Sequence, residues 1–421
     1  MFATAQLLTW GVSFAAVAGV ITRPFGWSEW VFAVAGVALL VGLGLIGTGD
    51  VLAGVAAGTD VYLFLAGMMM LAEVARREGL FDWLAARAAR AAAGSAQRLF
   101  LLVYAVGTLV TVFLSNDATA VVLTPAVAAV ARAAKAPSAI PYLLVCAFVA
   151  NAASFVLPIS NPANLVIFGE ELPPLAEWLS RFALPSLVAI VATYAVLRWT
   201  QGADLRGETA RDIPIPVLSR GGRLAALGIC IGAAILLVAS WTGAELGLPT
   251  LLCGLATLLA VLVAERSDPR AVLKGISWDT LVLVAGLFVI VRALEKAGVS
   301  TVLAGLLRSL VAEGTELAAA VSGIALAFGT NVTNNLPLGL LAGATMAAVD
   351  VPEKVTDAIL IGIDLGPNLS VTGSLATILW LTALRREGLD FGAWRFLKLG
   401  VLVMPPALLL ALAALLLQPW T

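Results

Sequence analysis

The charged residues of this 421-residue chain are few, and they collect between long apolar runs. Only 12% of the residues are charged, while 61% are hydrophobic. A soluble domain carries about 25% charged residues on average, so much of this surface must face lipid. A helix of about 20 apolar residues spans the roughly 30 Å core of a bilayer. The pattern therefore predicts an all-α polytopic membrane protein and excludes soluble, fibrous and disordered classes.

Composition also excludes several kinds of site. Cys146, Cys230 and Cys253 lie singly in apolar runs, which leaves neither a disulfide framework nor a metal-binding spacing. The 25 basic residues are balanced by 26 acidic ones, so a nucleic-acid surface is not expected. No basic residue precedes Arg23, and the first apolar run is predicted to be a mature span rather than a signal peptide. We expect no cofactor and no resident metal.

Cutting the chain at its charges leaves ten runs of suitable length for a span. They cover residues 5–21, 30–46, 61–75, 142–168, 182–197, 224–240, 249–264, 280–291, 358–384 and 397–417. Two longer runs, 99–131 and 317–349, carry polar residues at their middle and are predicted to be re-entrant helical hairpins. The alternative is that each is two full spans joined by a polar turn. Residues 79–93 and 298–311 are amphipathic, which is typical of helices at the membrane interface.

The basic residues divide unevenly between the loops of the two faces. This path places 20 of the 25 on one face and 5 on the other. Cytoplasmic loops carry the excess of lysine and arginine, so the first face is predicted to be cytoplasmic. Both termini are then expected outside.

The sequence matches itself weakly but in order. At an offset of 219 residues, Gly67 meets Gly286 and Asn116 meets Asn335, and farther along the offset becomes 213. Each half holds five crossings, so the second copy is inverted, as in many secondary transporters. We predict a first inverted repeat over 1–200, a cytoplasmic linker over 201–222 and a second repeat over 223–421. The hairpins would then enter from opposite faces, with their tips near the midplane.

Two predicted spans cannot be regular helices. Proline removes a backbone donor and clashes with the preceding turn, and Pro158 and Pro162 interrupt the first of them. Gly366 and Pro367 interrupt the second. Non-helical backbone at membrane depth is tolerated only inside protein or along a cavity, so both breaks predict a polar site. Residues expected to support that site are Asn151, Ser154, Ser160, Asn164, Thr333, Asn368, Thr372 and Thr377.

Two carboxylates lie deep in the predicted membrane region. Asp117 is at the tip of the first hairpin, and Asp364 is at the break of the second interrupted span. An ionised carboxylate at a helix centre costs at least about 2.5 to 3.5 kcal/mol, which makes it a functional-site hypothesis. Every basic residue lies in a loop or at an interface, so neither has a predicted cationic partner. We interpret the pair as proton-coupling groups. The alternative is that each caps a half-helix.

Three long strings closely resemble the ArsB family of arsenite and antimonite efflux pumps, within the ion transporter superfamily. Residues 113–126 read FLSNDATAVVLTPA, residues 151–165 read NAASFVLPISNPANL, and residues 334–339 read NNLPLG. Sodium-coupled dicarboxylate members of the superfamily carry Ser-Asn-Thr at each hairpin tip. Here Asp117 replaces the first threonine, and Asn334-Asn335 replaces Ser-Asn. The departure disfavours sodium coupling and agrees with the proton exchange attributed to ArsB.

The resemblance implies a secondary transporter of the bacterial inner membrane, not an enzyme. It implies extrusion of arsenite or antimonite, as a neutral trihydroxide, in exchange for protons by alternating access. Arsenic and antimony are then cargo only. The side chains expected to bind this substrate are Ser115, Asn116, Asn161, Asn334, Asn335 and Ser374. A soluble arsenite-stimulated ATPase on the cytoplasmic side is a partner in some systems of the family, and the sequence leaves its presence open.

Three other functions are weighed against efflux. A sodium-coupled importer of inorganic anions or dicarboxylates has the same fold and predicts sodium dependence. An intramembrane enzyme lacks support, because the chain has no histidine, no paired catalytic aspartates and no Ser–Lys pair at depth. A channel is disfavoured by the inverted repeat with its broken helices.

Overall fold

The computed structural model describes residues 2–169, 172–389 and 391–418, and within them the chain is helical apart from connecting turns and loops and one isolated bridge between Ser95 and Glu208. The helices of the first half are α1 (Phe2–Thr22), α2 (Glu29–Gly42), α3 (Thr48–Ala57), α4 (Thr59–Arg77), α5 (Leu80–Ala91), α6 (Ala96–Phe113), α7 (Thr124–Ala133), α8 (Ile140–Ala152), α9 (Pro162–Phe168) and α10 (Leu175–Thr200). Those of the second half are α11 (Arg220–Trp241), α12 (Gly247–Glu265), α13 (Pro269–Gly275), α14 (Trp278–Lys296), α15 (Val299–Glu313), α16 (Thr315–Thr333), α17 (Asn335–Met346), α18 (Glu353–Leu365), α19 (Leu375–Arg386) and α20 (Ala393–Leu417).

The helices have the lengths of a membrane protein. In the described part of the chain, seven are long and apolar enough to cross a bilayer, namely α1, α6, α10, α11, α12, α16 and α20. Two bent pairs raise the number to nine: α3 with α4, bent by 50°, and α13 with α14, bent by 43°. Each predicted span lies on one helix or on a broken pair, which confirms the all-α polytopic class. The count of ten crossings stays a prediction.

Helices α3 and α13 were not predicted. An aspartate lies near the start of each: Asp50 is in the first turn of α3, and Asp268 is the N-cap of α13. Cutting the sequence at charges assigned such residues to loops. The Asp50 carboxylate accepts a hydrogen bond from Gly47 N at 3.1 Å, and Asp268 accepts one from Arg270 N at 2.9 Å. A carboxylate near a helix N-terminus satisfies free backbone donors. In the sequence alone, a charge at the start of a helix therefore resembles the end of an apolar span.

Elements of the two halves follow one another in the same order. The amphipathic helices α5 and α15 were both predicted, and each is preceded by a glycine in the left-handed region. Gly79 has a φ of 73° and Gly298 a φ of 81°. A side chain would strain this conformation, which explains why glycine stands at both positions of the 219-residue offset.

Each hairpin joins a long helix to a short one. In the first, α6 has 18 residues, and a π-helical turn (Ala118–Leu123) leads into the 10 residues of α7. In the second, the 19 residues of α16 are followed by the 12 of α17. At 1.5 Å per residue, α17 is about 18 Å long, well short of a bilayer core. These lengths favour re-entrant hairpins over two full spans.

Helices α8 and α18 lie at the centre of the molecule. Every residue of α8 from Pro141 to Ala152 is buried, as are nearly all residues of α18. Close helix contacts depend on glycine. A Cβ on Gly362 of α18 would lie 2.1 Å from Gly323 O of α16, so no larger residue fits at this crossing. The packing brings both broken helices into one buried layer.

Candidate functional site

The first buried polar group lies at the end of α18. Asp364 is 1% exposed, and its two carboxylate oxygens accept hydrogen bonds from the first half of the chain. Ser154 Oγ donates to Oδ2 at 2.7 Å, and Asn161 Nδ2 donates to Oδ1 at 2.8 Å. No lysine or arginine of the described residues forms an ion pair with it. Asp364 is therefore a buried carboxylate held by neutral donors.

A second pair of amides joins the same two elements. Asn151 Nδ2 donates to Asn368 Oδ1 at 3.0 Å, and Asn368 Nδ2 donates to Phe148 O at 3.1 Å. The Ser154 hydroxyl also lies 2.7 Å from Asn151 O. These contacts cross more than 200 residues of sequence, so the two broken helices form one network.

The break between α8 and α9 is stabilised by side chains from its own loop. Asn164 Nδ2 lies within hydrogen-bond distance of Ser154 O at 2.9 Å and of Leu157 O and Pro158 O at 3.3 Å. Ser160 Oγ donates to Val112 O of α6 at 3.0 Å. These bonds satisfy backbone groups that a regular helix would pair internally. Both residues thus hold the broken backbone, and their support of a substrate site stays a prediction.

Two N-caps start the short helices after the breaks. Asn161 Oδ1 accepts from Ala163 N at 3.1 Å at the start of α9, and Ser374 Oγ accepts from Ala376 N at 3.1 Å at the start of α19. The two caps occupy equivalent positions, 213 residues apart. Each half-helix N-terminus carries a partial positive charge, which suits an oxygen-rich ligand, although in α9 Asn161 already accepts from both Ala163 N and Asn164 N.

The tip of the second hairpin contacts the second break. Asn334 has a φ of 73°, and its Nδ2 donates to Thr372 O at 3.3 Å. Asn335 N donates to Gly373 O at 2.8 Å. Thr333 instead donates to Gly329 O of its own helix at 3.0 Å, so this hydroxyl supports α16 rather than the tip.

The tip of the first hairpin is held by its own side chains. Ser115 Oγ accepts from Ala118 N at 3.2 Å, and Asn116 Oδ1 accepts from Asp117 N at 2.9 Å. The Asp117 carboxylate is half-buried and forms no hydrogen bond within the described ranges. It therefore stays separate from the Asp364 network.

Hairpins and half-helices of opposite halves pack together. Helix α17 lies against α9, and the π-helical turn and α7 lie against α19. In this arrangement Thr377 of α19 is buried, and its hydroxyl has no hydrogen-bond partner among the described residues. Asn151 Oδ1 and Asn164 Oδ1 are likewise buried and unpartnered in the same part of the structure. These three oxygens are free to accept from a ligand or water.

Sequence reasoning missed two residues of this network. Asn331 Nδ2 donates to Gly366 O at 3.0 Å, and Asn331 Oδ1 accepts from Ser370 Oγ at 2.7 Å. Thr372 Oγ1 donates to Asn331 O at 2.8 Å. Asn331 lies one turn before Asn335, on the same face of the hairpin. The four-residue spacing between Asn331 and Asn335 is the sequence pattern that could have identified Asn331.

A cavity of about 1030 Å³ opens beside this centre. Helices α3 and α14 form one wall, and α9 and α17 form the other. Val166 of α9 and Leu340 of α17 line it, each five residues beyond Asn161 and Asn335 respectively. The cavity therefore lies along the C-terminal parts of the two short helices, and the polar residues at their N-termini are not among its lining residues.

At offsets of 219 and 213 residues, the cavity wall has equivalent positions in the other half of the chain, and these positions are packed. Ala347 of the cavity wall is exposed, whereas its equivalent Ala128 is fully buried. Trp380, equivalent to Ile167, is also fully buried. Beside them Arg132 Nη2 of α7 lies 2.8 Å from Glu387 Oε2, just after α19. One side of the molecule is thus open where the other is closed.

Long apolar helices, re-entrant hairpins and two broken helices around a buried polar centre define a polytopic membrane transporter. A family model described as a citrate transporter matches residues 17–365. The chain belongs to this family.

Curated relatives confirm the resemblance to the ArsB pumps. The chain is 29% identical over 362 residues to an arsenical pump membrane protein of Escherichia coli (strain K12), covering 81% of this chain and 82% of that protein. It is 28% identical over 359 residues to one of Yersinia enterocolitica, with the same coverage. An uncharacterized transporter of Mycobacterium tuberculosis (strain ATCC 25618 / H37Rv) is 28% identical over 393 residues, covering 89% and 90%.

A solved structure has the same fold. The YdaH transporter of Alcanivorax borkumensis, whose crystal structure is described as revealing an unusual topology, aligns with a TM-score of 0.58 at 16% identity. The alignment covers 87% of this chain and 86% of that one. With these relatives, the chain is a multi-pass membrane transporter and not an enzyme.

Proposed function

We propose that this transporter extrudes arsenite or antimonite from the cytoplasm in exchange for protons. The observation that carries the proposal is the character of the polar centre. Amides and hydroxyls surround one buried carboxylate, and no arginine or lysine in the described part of the chain pairs with it. A neutral trihydroxide needs hydrogen-bond donors and acceptors but no cation. The similar proteins named arsenical pumps support the same substrate class.

The substrate site in this proposal lies between the hairpin tips and the half-helix caps. Its side chains are Ser115, Asn116, Asn161, Asn334, Asn335 and Ser374. Thr377, Asn151 and Asn164 add the buried oxygens that lack a partner within the described residues. The positive ends of the α9 and α19 half-helices would face the substrate's oxygens.

Proton coupling is assigned to Asp364, with Asp117 as a second carrier. As a carboxylate, Asp364 accepts from Ser154 and Asn161. When Oδ2 takes a proton it donates to Ser154 Oγ, and the serine hydroxyl donates to Asn151 O, which lies 2.7 Å away. Both oxygens of Asp364 keep a hydrogen-bond partner in both states, so protonation changes the charge without leaving this carboxyl group unbonded.

Alternating access would use the two halves, 1–200 and 223–421, as inverted repeats joined by the linker 201–222. The open cavity beside α9 and α17 and the packed equivalent beside α7 and α19 are the asymmetry this requires. Loops expected on one face contact each other: Lys296 bonds to Asp50 outside, and Arg132 to Glu387 inside. We therefore place the protein in the inner membrane of a bacterium with both termini outside. The proton gradient supplies the energy, so an ATPase partner is not required.

A second candidate is a sodium-coupled importer of organic anions, which the citrate description of the family model favours. A tricarboxylate needs cationic partners, and among the described residues the Asp364 network contains none. Sodium would have to supply that charge. This reading predicts sodium-dependent inward transport.

Transport in everted membrane vesicles separates the two candidates. Respiration acidifies the vesicle interior, and arsenite uptake is measured with and without a protonophore, sodium and competing citrate. We expect uptake that persists without sodium and collapses with the protonophore. Sodium-dependent uptake, inhibition by citrate, or no arsenite uptake would contradict the proposal.

A further inference from the structure

Four charged side chains cluster where α10 meets the start of α18. Arg181 of α10 pairs with Glu177 of its own helix and with Glu353 Oε2 of α18 at 2.7 Å. It also lies 3.4 Å from Asp357 Oδ1 of α18. The side chains of Glu177 and Glu353 are 46% and 57% exposed, whereas that of Asp357 is 0% exposed. The cluster therefore joins the surface to one buried carboxyl group.

The two oxygens of Asp357 are in different environments. Oδ1 faces Arg181, while Oδ2 is buried and has no hydrogen-bond partner among the described residues. Both oxygens of Asp364, by contrast, accept from neutral donors. A buried carboxylate oxygen without a donor is costly, and native structures keep such a group where it has a task. Oδ2 is a position that can take a proton and release it.

Helix geometry links Asp357 to Asp364. Seven residues are almost two turns of an α-helix, so the two side chains share one face of α18, about 10 Å apart along the axis. The neighbouring residue, Thr356, lines the 1030 Å³ cavity, which brings water to the same end of α18. Asp357 thus lies between that water and the buried Asp364.

Other charged or titratable groups near α18 are few. On the described elements that pack against α18, α9 and α17 carry none, α8 carries Tyr142 and Cys146, α16 carries Glu316, and α20 carries Arg395 and Lys398. Lys354 lies 3.8 Å from Glu316 at the start of α18.

We propose that Asp357 is a proton-relay residue on the extracytoplasmic side of the transporter, held in place by Arg181. The inference rests on the proposed proton coupling. A hydronium ion that enters the cavity from outside gives a proton to Asp357 Oδ2 and becomes water. Asp357 passes it through intervening water to the Asp364 carboxylate and returns to its ionised form, so one proton moves inward and no other group changes.

The test compares two transport modes in everted vesicles. Proton-driven accumulation of arsenite needs the relay. Counterflow, in which labelled arsenite exchanges for unlabelled arsenite without a gradient, needs only substrate binding and movement. We expect Asp357→Asn to lower proton-driven accumulation at least tenfold and to leave counterflow within twofold of wild type. Glu353→Gln removes another carboxylate bonded to Arg181, but an exposed one, and is expected to keep both modes within twofold.

Two results with the variants would overturn the relay. One is wild-type accumulation by Asp357→Asn. The other is loss of counterflow in both Asp357→Asn and Asp357→Glu, which would make the residue structural. If wild-type vesicles accumulate arsenite without sensitivity to a protonophore, the proposed proton coupling itself fails. Protonophore sensitivity of the wild type is measured before any variant is compared, so a failure of proton coupling is distinguishable from a failure of the relay.

Discussion

At the scale of single residues, Asp364 is the group on which coupling is expected to depend. Asp364→Asn removes the titratable oxygen but keeps the shape of the side chain. We expect protonophore-sensitive accumulation of arsenite to fall by a factor of at least about ten, equivalent to about 1.4 kcal/mol. Counterflow should continue, because the amide can still take part in the surrounding network. Asp364→Glu, which retains a carboxyl group, is the control. Unchanged proton-driven transport in the double variant with Asp117→Asn would refute both assignments.

Ser154 gives a second test at this scale, through stability. Its hydroxyl is buried and lies 2.7 Å from both Asn151 O and Asp364 Oδ2. Ser154→Ala leaves these acceptors without that donor, which costs about 1 to 3 kcal/mol. We expect a lower melting temperature for the purified protein in detergent. Ser180→Ala removes an exposed serine that bonds only within its helix among the described contacts, and it should leave the melting temperature unchanged. Equal melting temperatures for the two variants would contradict this role.

The sequence predicted which polar residues belong to the candidate site better than it predicted which residues they contact. Asp364, Asn161 and Ser154 stood out because polar groups are costly in an apolar run. Asp357 did not, because it lies only a few residues from a loop, and its burial depends on the helices packed around α18. Asn331 was missed for a similar reason, since its partner Ser370 is 39 residues away. Burial and pairing across the chain are tertiary properties that a single sequence does not contain.

At the scale of elements, the crossing of α16 and α18 positions Asp364. Gly362→Ala places a methyl group against the backbone of Gly323, with no flexible side chain to move aside. Such overpacking costs about 1 to 3 kcal/mol, and it should also shift α18 and weaken transport. Gly305→Ala in α15 is the matched control, because a Cβ there meets no atom within 4 Å. Thermal unfolding and vesicle transport measure both effects. A Gly362→Ala protein as stable and active as the Gly305→Ala protein would rule out a tight crossing.

The boundaries of helices were predictable where the sequence cannot continue a regular helix. Proline at 158 and 162 and asparagine at the hairpin tips mark points where helices stop, and the structure ends its helices there. Helices α3 and α13 were missed because an aspartate lies in the first turn of α3 and at the N-cap of α13. The same charge can begin a helix or end a membrane run. Only a hydrogen bond to the backbone, such as that from Gly47 N to the Asp50 carboxylate, distinguishes a charge that begins a helix from one that ends a span.

At the scale of the whole molecule, the two halves differ in packing although they share an order of elements. The cavity opens beside α17, where Ala347 is exposed, while its equivalent Ala128 in α7 is buried. Near Ala128 the ends of α7 and α19 are joined by Arg132 and Glu387. If alternating access operates, this ion pair closes the cytoplasmic side while the cavity is open to the outside. A pair this exposed contributes about 0 to 1 kcal/mol, enough to shift a balanced equilibrium without locking it.

Cysteine accessibility tests the closure directly. In a background without Cys146, Cys230 and Cys253, Ala347→Cys is expected to react with an impermeant maleimide from outside the cell. Ala128→Cys in everted vesicles should be protected. Adding Arg132→Glu places two carboxylates together, and labelling of Ala128→Cys should rise by up to about fivefold, as expected for a change of up to about 1 kcal/mol. Reversing the partner as well, with Glu387→Arg, restores the ion pair in the opposite sense and should restore protection. Labelling of Ala128→Cys that is the same in all three backgrounds would mean that Arg132 and Glu387 do not close this side, because only an electrostatic contact between them predicts rescue by the exchanged pair.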